Sequence, residues 1–159
     1  MIWFNNSGFH GAALRGALRY FNPLRKPDFI VYRSTGEAYL RRWWVIPRNK
    51  RFNIYLHNML ADDDDRALHD HPWRSMSVCL KGRLREHRKD LPPREIGAGR
   101  VVFRGAEFAH RLDVIRPAWT LFITGRSVRS WGFHCPNGWR HWRDFTAPSD
   151  TGKIGRGCE

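Results

Sequence analysis

The chain has 159 residues, which is the length of one domain, and a formal net charge of +13 at pH 7. A domain of this size buries roughly 68–70% of its unfolded surface, so its fold does not require a structural metal or a disulfide framework. The 8 Trp and 10 Phe residues and the alternation of apolar with polar residues exclude a disordered chain, and no apolar run approaches a membrane-spanning length.

The first segment, residues 1–27, contains no acidic residue. Apolar residues recur at helical spacing from Phe9 to Phe21, which predicts a short helical or irregular extension. Arg15 and Arg19 interrupt the apolar stretch, and a cationic start is missing, so a secretory signal is not expected. A transit peptide is the alternative.

From residue 28 onward the chain resembles a series of β-strands. FIVYRS, AYLRRWWVIP and RFNIYLHNML are aromatic and β-branched, and the acidic run ADDDDRA, which cannot be a buried strand, follows them. SMSVCL, a turn at Lys81–Gly82, RLREHRK and a Pro/Gly loop LPPREIGAG come next. VVFRG, FAHRLDVI, WTLFITGR and VRSWGFHC precede a turn at PNG and a last segment, WRHWRDF.

About ten short strands separated by turns predict an all-β sandwich or barrel. The predicted domain covers residues 1–146, with residues 1–27 as its extension. Residues 147–159 are rich in Gly and polar residues and predict a mobile C-terminal tail.

The three cysteines, Cys79, Cys135 and Cys158, are odd in number and widely spaced, without a Cys-x-x-Cys pair. This pattern indicates neither a disulfide framework nor a zinc ribbon, and a cytoplasmic location is expected. Cys79 shares strand parity with Ser75 and Ser77, which places it on the interior side. A small core residue is favoured there over a redox role.

The positive charge admits a nucleic-acid partner. However, Arg supplies 23 of the 28 basic residues, and these are scattered with no block longer than Arg41–Arg42. A mixed, solvated surface is therefore favoured over a nucleic-acid interface.

His69 and His71 are the first candidates for a functional site. On a strand they would project from one face, about 6–7 Å apart at the backbone, from where two imidazoles could converge on one ion. An isolated pair of this kind is equally consistent with two surface histidines. The pair alone therefore does not predict a metal site, and the rest of the chain must be considered.

Glycines and a third histidine follow the pair at regular spacing. Gly82 follows His71 after ten residues, and Gly99 begins GRVVFRGAEFAHRLDV, which contains His110. His69, His71, Gly82, Gly99 and His110 fall in register with the two signature motifs of the cupin superfamily, which the chain resembles over roughly residues 40 to 135. The resemblance is to a single-domain, RmlC-like jelly roll.

Five positions depart from these motifs. Asp63 stands in place of the first Gly, Gly105 of the Pro, Glu107 of the second-motif Gly and Val114 of the Asn. Ser75 replaces the Glu that is the family's fourth metal ligand. This departure matters most, because a serine hydroxyl is a poor ligand for such ions.

The resemblance implies a double-stranded β-helix barrel in which His69, His71 and His110 bind a divalent metal such as Fe, Ni, Zn or Mn. A set of three histidines without the carboxylate is similar to that of the cupin-fold thiol dioxygenases. The alternative is that the three histidines have a structural role and bind no metal. Candidates for a fourth ligand are Glu86, His87 and Glu107, and strand alternation directs only one of the first two inward.

Other residues are candidates for the wall of the pocket. His57 alternates with Tyr55 and could point into the same cavity, although a hydrogen-bonded core histidine is favoured. Trp73 follows the His pair and could close the pocket, or simply belong to the core. Ser75 and Cys79 complete the predicted pocket.

The function expected from these observations is that of a metal-dependent protein acting on a small molecule, most simply an Fe(II)-dependent dioxygenase. A non-catalytic binding or sensing cupin is the alternative, and a nucleic-acid-associated protein is less favoured. A homodimer is expected, because cupins commonly pair through exposed strands. The fold alone cannot choose among these functions.

Overall fold

A computed structural model describes residues 25–33, 35–63, 67–148 and 150–159. Within these residues the chain forms twelve strands and one single-turn helix. The strands are β1 (Phe29–Tyr32), β2 (Ala38–Trp44), β3 (Asn53–Met59), β4 (Leu68–His69), β5 (Ser75–Arg88), β6 (Leu91–Gly97), β7 (Val101–Arg104), β8 (His110–Thr124), β9 (Gly132–Cys135), β10 (Gly138–His141), β11 (Thr146–Ala147) and β12 (Asp150–Ile154), and the helix is α1 (Trp142–Phe145).

Ten of these strands form one sheet in which every pairing is antiparallel. The order is β1-β2-β3-β8-β4-β9-β10, and β5 pairs with β6, β7 and β8 beside this path. Strands β11 and β12 form a separate small sheet. The predicted predominance of β-strands is therefore confirmed, and the strand pairing joins segments that are distant in the sequence.

The turn predicted at Lys81–Gly82 is wrong, because β5 continues through both residues. Gly82 has a φ of +85°, and a Cβ built on it would lie 2.1 Å from the carbonyl oxygen of Pro117. The glycine thus allows β5 to pass against β8 at a register shift instead of reversing the chain. The predicted Pro/Gly loop is also wrong over Leu91–Gly97, which forms β6 and pairs with β5.

A row of four side chains crosses the sheet and defines its inner face. Arg42 on β2 is in register with His57 on β3, His57 with Thr120 on β8, and Thr120 with Cys79 on β5. Neighbouring strands place the side chains of registered residues on the same face. The hydrophobic core lies on this face and contains Leu40, Met59, Cys79, Leu84, Ile96, Val102 and Ala118.

The end of the chain is held by a disulfide between Cys135 and Cys158, whose Cα atoms lie 5.4 Å apart. The sequence did not indicate this bond, because the two cysteines are 23 residues apart and come together only through the fold. The predicted turn at PNG is confirmed, since Cys135 pairs with Gly138 across it. Residues 150–154 pair with β11, and the mobility of residues 147–159 remains a prediction.

Two other expectations concern the N-terminal segment and membrane-spanning helices. The predicted N-terminal helix lies outside the described residues, which begin at residue 25. Among the described residues, no helix has the length and apolar character needed to cross a membrane.

Candidate metal centre

Three histidines converge at one point of the inner face. His69 lies on the short strand β4 and pairs with His110, the first residue of β8, while His71 lies two residues after the end of β4. The three ring centroids lie 5.1–5.2 Å from one another. One potential ligand atom from each side chain lies within 4.8 Å of the other two. The structure therefore brings together the three histidines that the sequence singled out.

The contact between His71 and His110 tests whether this cluster fits a metal ion. Their Nε2 atoms lie 2.9 Å apart. Two nitrogen ligands that are each about 2.1 Å from one ion and at right angles to one another are separated by about 3.0 Å. The spacing of the two nitrogens therefore suits a divalent ion with imidazole ligands.

Glu86 fixes the orientation of one of these rings. Its carboxylate on β5 is fully buried, and Oε1 lies 2.9 Å from Nδ1 of His110. An ionised carboxylate only accepts hydrogen bonds, so Nδ1 of a neutral His110 carries the proton. The lone pair at Nε2 of His110 then faces the cluster. A carboxylate behind a histidine in this way is the usual outer partner of a metal-binding imidazole.

Two arginines hold Glu86 from the other side. Nε of Arg104 donates to Oε1 and Nε of Arg94 donates to Oε2, both at 2.6 Å. Nη1 of Arg104 also donates to the hydroxyl of Ser77 at 3.0 Å. Burial raises the pKa of Glu86, but the hydrogen bond with His110 and the charge of Arg104 outweigh it, and the pKa falls to about 2. Glu86 is therefore ionised at neutral pH.

Two histidines of the cluster, His71 and His110, are held in the neutral form that binds metals. Burial, with the nearby charges of Arg104 and His69, lowers the pKa of His110 to about 3, although the bond with Glu86 opposes this. Burial and the surrounding cations also lower the pKa of His71 well below its ordinary value.

The other predicted ligands lie elsewhere or serve another purpose. Glu86 contacts Nδ1 of His110, the ring nitrogen that does not face the cluster, and it pairs with the two arginines. Nε2 of His87 contacts the carboxylate of Asp113 at 2.5 Å. Glu107 is exposed in the loop before β8. Among the described residues, the group that could hold an ion contains the three histidines alone.

A cavity of about 140 Å³ adjoins the three histidines. Of the predicted pocket residues, His57 and Cys79 line it, and Tyr55, Trp73 and Ser75 lie outside its lining. Tyr55 is buried against His57, with ring centroids 5.9 Å apart, and Trp73 stacks on His71 at 6.2 Å. Ser75 is buried and in register with Arg104 and Thr124.

Three charged residues of the cavity wall, Arg42, Asp63 and Arg104, had no functional role in the sequence analysis. The parity of Arg104 with the buried Val102 on β7 is a signal that could have found it. Asp63 stands in the acidic run that cannot be a buried strand, and its carboxylate accepts from the backbone N–H of Leu112 at 2.9 Å. Burial raises its pKa, and the neighbouring His69 opposes this.

Asp70, between the two histidines of β4 and its loop, points away from the cluster into a separate set of contacts. Its buried carboxylate accepts from the backbone N–H of Gly132 at 2.8 Å and from Nε1 of Trp139 at 3.0 Å. Nη1 of Arg129 lies 2.8 Å from the same carboxylate. Asp70 thus ties the segment that carries His69 and His71 to β9 and β10.

Comparisons with known proteins concern the fold. No family model and no curated protein matches the chain. Among solved structures, the DMSP lyase DddQ of Ruegeria pomeroyi DSS-3 aligns with a TM-score of 0.50 and 20% identity, over 62% of this chain and 53% of the lyase. The chain has the cupin fold. The alignment spans only about half the length of the lyase.

Two further cupin-fold structures align at lower scores. A double-stranded β-helix protein from Klebsiella pneumoniae is 12% identical, with a TM-score of 0.49, over 74% of this chain and 92% of its own. A cupin superfamily protein from Desulfitobacterium hafniense DCB-2 is 14% identical, with a TM-score of 0.48, over 55% of this chain and 78% of its own. Proteins that share this fold do not share a substrate, so the fold does not identify the function of this chain.

Proposed function

We propose that this cupin binds a divalent metal through His69, His71 and His110 and acts on a small molecule, most simply as an Fe(II)-dependent dioxygenase. The proposal includes closure of the sheet into a barrel around the cavity. The observation that carries it is the buried Glu86 carboxylate 2.9 Å from Nδ1 of His110. That contact directs the Nε2 lone pair of His110 toward the other two histidines.

The residues of the chain prepare the site in two ways. The low pKa values of His71 and His110 keep their rings neutral and available as ligands. Trp73 and Phe133 pack against His71 and His69 and hold the rings in place. When bound, a divalent metal would supply open coordination positions for a small molecule and, if it is iron, redox chemistry.

The cavity beside the histidines has the character of a substrate site. Apolar side chains from five strands exclude bulk water, and a few polar groups remain to orient a ligand. Its volume of about 140 Å³ is below the ~300–1,000 Å³ of pockets for drug-sized ligands, so the substrate is small. The apolar residues of the lining are Leu40, Met59, Leu84, Ile96, Leu112 and Phe122.

Metal uptake is the first test. The purified protein is stripped with chelator, incubated separately with Fe(II), Ni, Zn and Mn, desalted and analysed for metal content. The wild type should retain about one ion per chain, and His110→Ala should lose it. His87→Ala is the matched control, because His87 pairs with Asp113 outside the cluster and should retain the ion. A wild type that retains none of these metals contradicts the proposal.

Catalysis is tested separately from binding. Oxygen consumption by the iron-loaded protein is recorded with panels of small thiols and polyols, with His110→Ala as the inactive control. Binding of metal and ligand without turnover would instead establish the non-catalytic alternative. The nucleic-acid alternative requires strong binding at low salt, because phosphate contacts release counterions.

A further inference from the structure

Arg42 is a cation in the cavity wall without a carboxylate partner among the described residues. Its Nε donates to Nε2 of His57 at 2.8 Å. The guanidinium lies over the ring of Tyr55, 5.0 Å from the centroid, and 6.0 Å from that of Phe29. Aromatic faces attract a cation but do not neutralise its charge. A cation in this position therefore lacks the counter-charge that buried arginines normally have.

The second arginine of the cavity shows the contrast. Arg104 is buried, and its charge is matched by Glu86 at 2.6 Å, with Ser77 accepting a further hydrogen bond. The hydrogen-bonding groups of Arg104 are thus engaged by other residues of the protein. Arg42 differs because, among the described residues, its one side-chain hydrogen bond is made to a neutral imidazole. Burial and the charge of Arg42 hold the pKa of that imidazole well below the ordinary value.

The contact with His57 leaves the end of the guanidinium available. Arg has five N–H donors, and Nε supplies the one that His57 accepts. The two terminal amino groups donate to no acceptor within the described part of the chain. Together they form the planar pair of donors that matches the two oxygens of a carboxylate. His57 also restrains the side chain, so little conformational freedom would be lost on binding.

The location of Arg42 relates this group to the three histidines. Arg42 lines the same cavity as His71 and His110. The nearby Asp63 is engaged by the backbone of Leu112 beside His69 and does not pair with Arg42.

We propose that Arg42 binds the carboxylate of a small monocarboxylic acid in this cavity, while the other end of that molecule faces the three histidines. The placement of the other end of the molecule against the three histidines rests on the proposed function. The substrate class is thereby a short carboxylate that bears a metal-binding group such as a hydroxyl, amine or thiol. His57 acts as a positioning residue for Arg42.

Glycolate is the probe, and glycolamide, which has the same shape without the charge, is its matched control. Binding is followed by NMR titration of the metal-free and the zinc-loaded protein. The wild type should bind glycolate and discriminate against glycolamide. Arg42→Gln should weaken glycolate binding roughly tenfold to a hundredfold, as expected for loss of a charged hydrogen-bond pair. Arg42→Lys, which keeps the charge and loses the planar fork, should fall between them.

Arg41→Gln is the matched variant, because Arg41 is the exposed neighbour on the same strand and changes the net charge equally. It should bind glycolate as the wild type does. Equal binding of glycolate to folded Arg42→Gln, or no binding to the wild type, overturns the inference. If Arg42→Gln does not fold, unchanged glycolate affinity in folded Arg42→Lys overturns it.

The metal content of every sample separates this inference from the proposed function. Glycolate binding that depends on Arg42 in a protein that retains no metal would support the carboxylate site and contradict the metal site. Normal metal content together with glycolate binding that is indifferent to Arg42 would do the reverse.

Discussion

Glu86 and His110, on strands β5 and β8, form a buried contact in which a carboxylate oxygen lies 2.9 Å from Nδ1 of the imidazole. Neither residue has access to bulk water, since Glu86 is 0% and His110 4% exposed. Glu86 pairs with two arginines and also contacts His110, so it connects these charges to the imidazole that meets the other two histidines. Substitution of Glu86 therefore affects both the stability of the fold and the affinity for metal.

Glu86→Gln should lower the affinity for a divalent metal roughly 10–100-fold, because the amide no longer holds the His110 ring and its tautomer as firmly. It should also destabilise the fold by about 3–5 kcal/mol, because Arg104 is left buried without its counter-ion. Competition with a chromophoric chelator measures the first effect and urea denaturation the second. Glu95→Gln, an exposed partner of Arg83, is the control and should change both by little. Unchanged metal affinity in Glu86→Gln would refute the role assigned to the carboxylate.

The free energy of unfolding of the metal-free protein should fall as the pH falls below about 6.5. The pKa of His110 is about 3 in the folded chain against an ordinary value of 6.5, so between these pH values the unfolded chain binds a proton that the folded chain does not. Glu86, with a pKa of about 2 against 4.5, adds to the loss at lower pH. Both lowered values act in the same direction, toward lower stability in acid.

Denaturant titrations at pH 7.0, 6.0 and 5.0 measure this dependence. His110→Asn should reduce the slope between these pH values, because it removes one of the titrating groups. A free energy of unfolding that is constant from pH 7.0 to 5.0 would contradict the buried, neutral state of His110.

Gly82→Ala should destabilise the protein strongly. Its φ of +85° is unfavourable for Ala, and the added Cβ would lie 2.1 Å from the carbonyl oxygen of Pro117. Gly99→Ala is the matched control, because Gly99 has a φ of +82° with no atom within 4 Å of a built Cβ. Gly99→Ala should cost about 1–2 kcal/mol, and Gly82→Ala about 1–3 kcal/mol more. Equal free energies of unfolding for the two variants would show that β5 and β8 are not in close contact there.

The oxidised protein should contain one free thiol per chain. Cys79 is buried and free, whereas Cys135 and Cys158 are joined. Titration with a thiol reagent in denaturant should therefore give one equivalent, and three after reduction. Cys158→Ser should lower the free energy of unfolding by roughly 3 kcal/mol, because the bond closes a loop of 23 residues in the unfolded chain. Three free thiols in unreduced protein expressed in an oxidising compartment would contradict the disulfide.

This disulfide also bears on where the protein is located. Such bonds persist in oxidising compartments and are rare in the cytosol. The expected cytoplasmic location remains a prediction, and the pairing of Cys135 with Cys158 does not favour it.

Local alternation predicted the strands, because it is a property of short segments. The convergence of the three histidines was implied by the resemblance to the cupin motifs, since spacing alone offered only the pair His69 and His71. These sequence features did not predict which polar groups meet across the sheet. Alternation allowed Glu86 or His87 to point inward, and only the pairing of β5 with β8 shows that Glu86 meets His110. The role of Arg42 depends in the same way on the register between β2 and β3.

The continuity of β5 was missed for a related reason. A Lys-Gly pair ordinarily indicates a turn, since glycine tolerates positive φ. In this chain the same freedom serves a close approach to Pro117 on another strand, and the sequence around Gly82 does not contain that information.

Asp70 has a consequence for the alignment of the short strand that carries His69. A shift of one residue in a β-strand exchanges the two faces, so here it would turn the carboxylate of Asp70 toward His110 and would turn both His69 and His71 outward. A strand of two residues has few hydrogen bonds with which to resist such a slip. In the shifted alignment Asp70 would lose its hydrogen bonds with Gly132 and Trp139 and its ion pair with Arg129. Asp70 therefore holds the strand in the register that directs both histidines into the site.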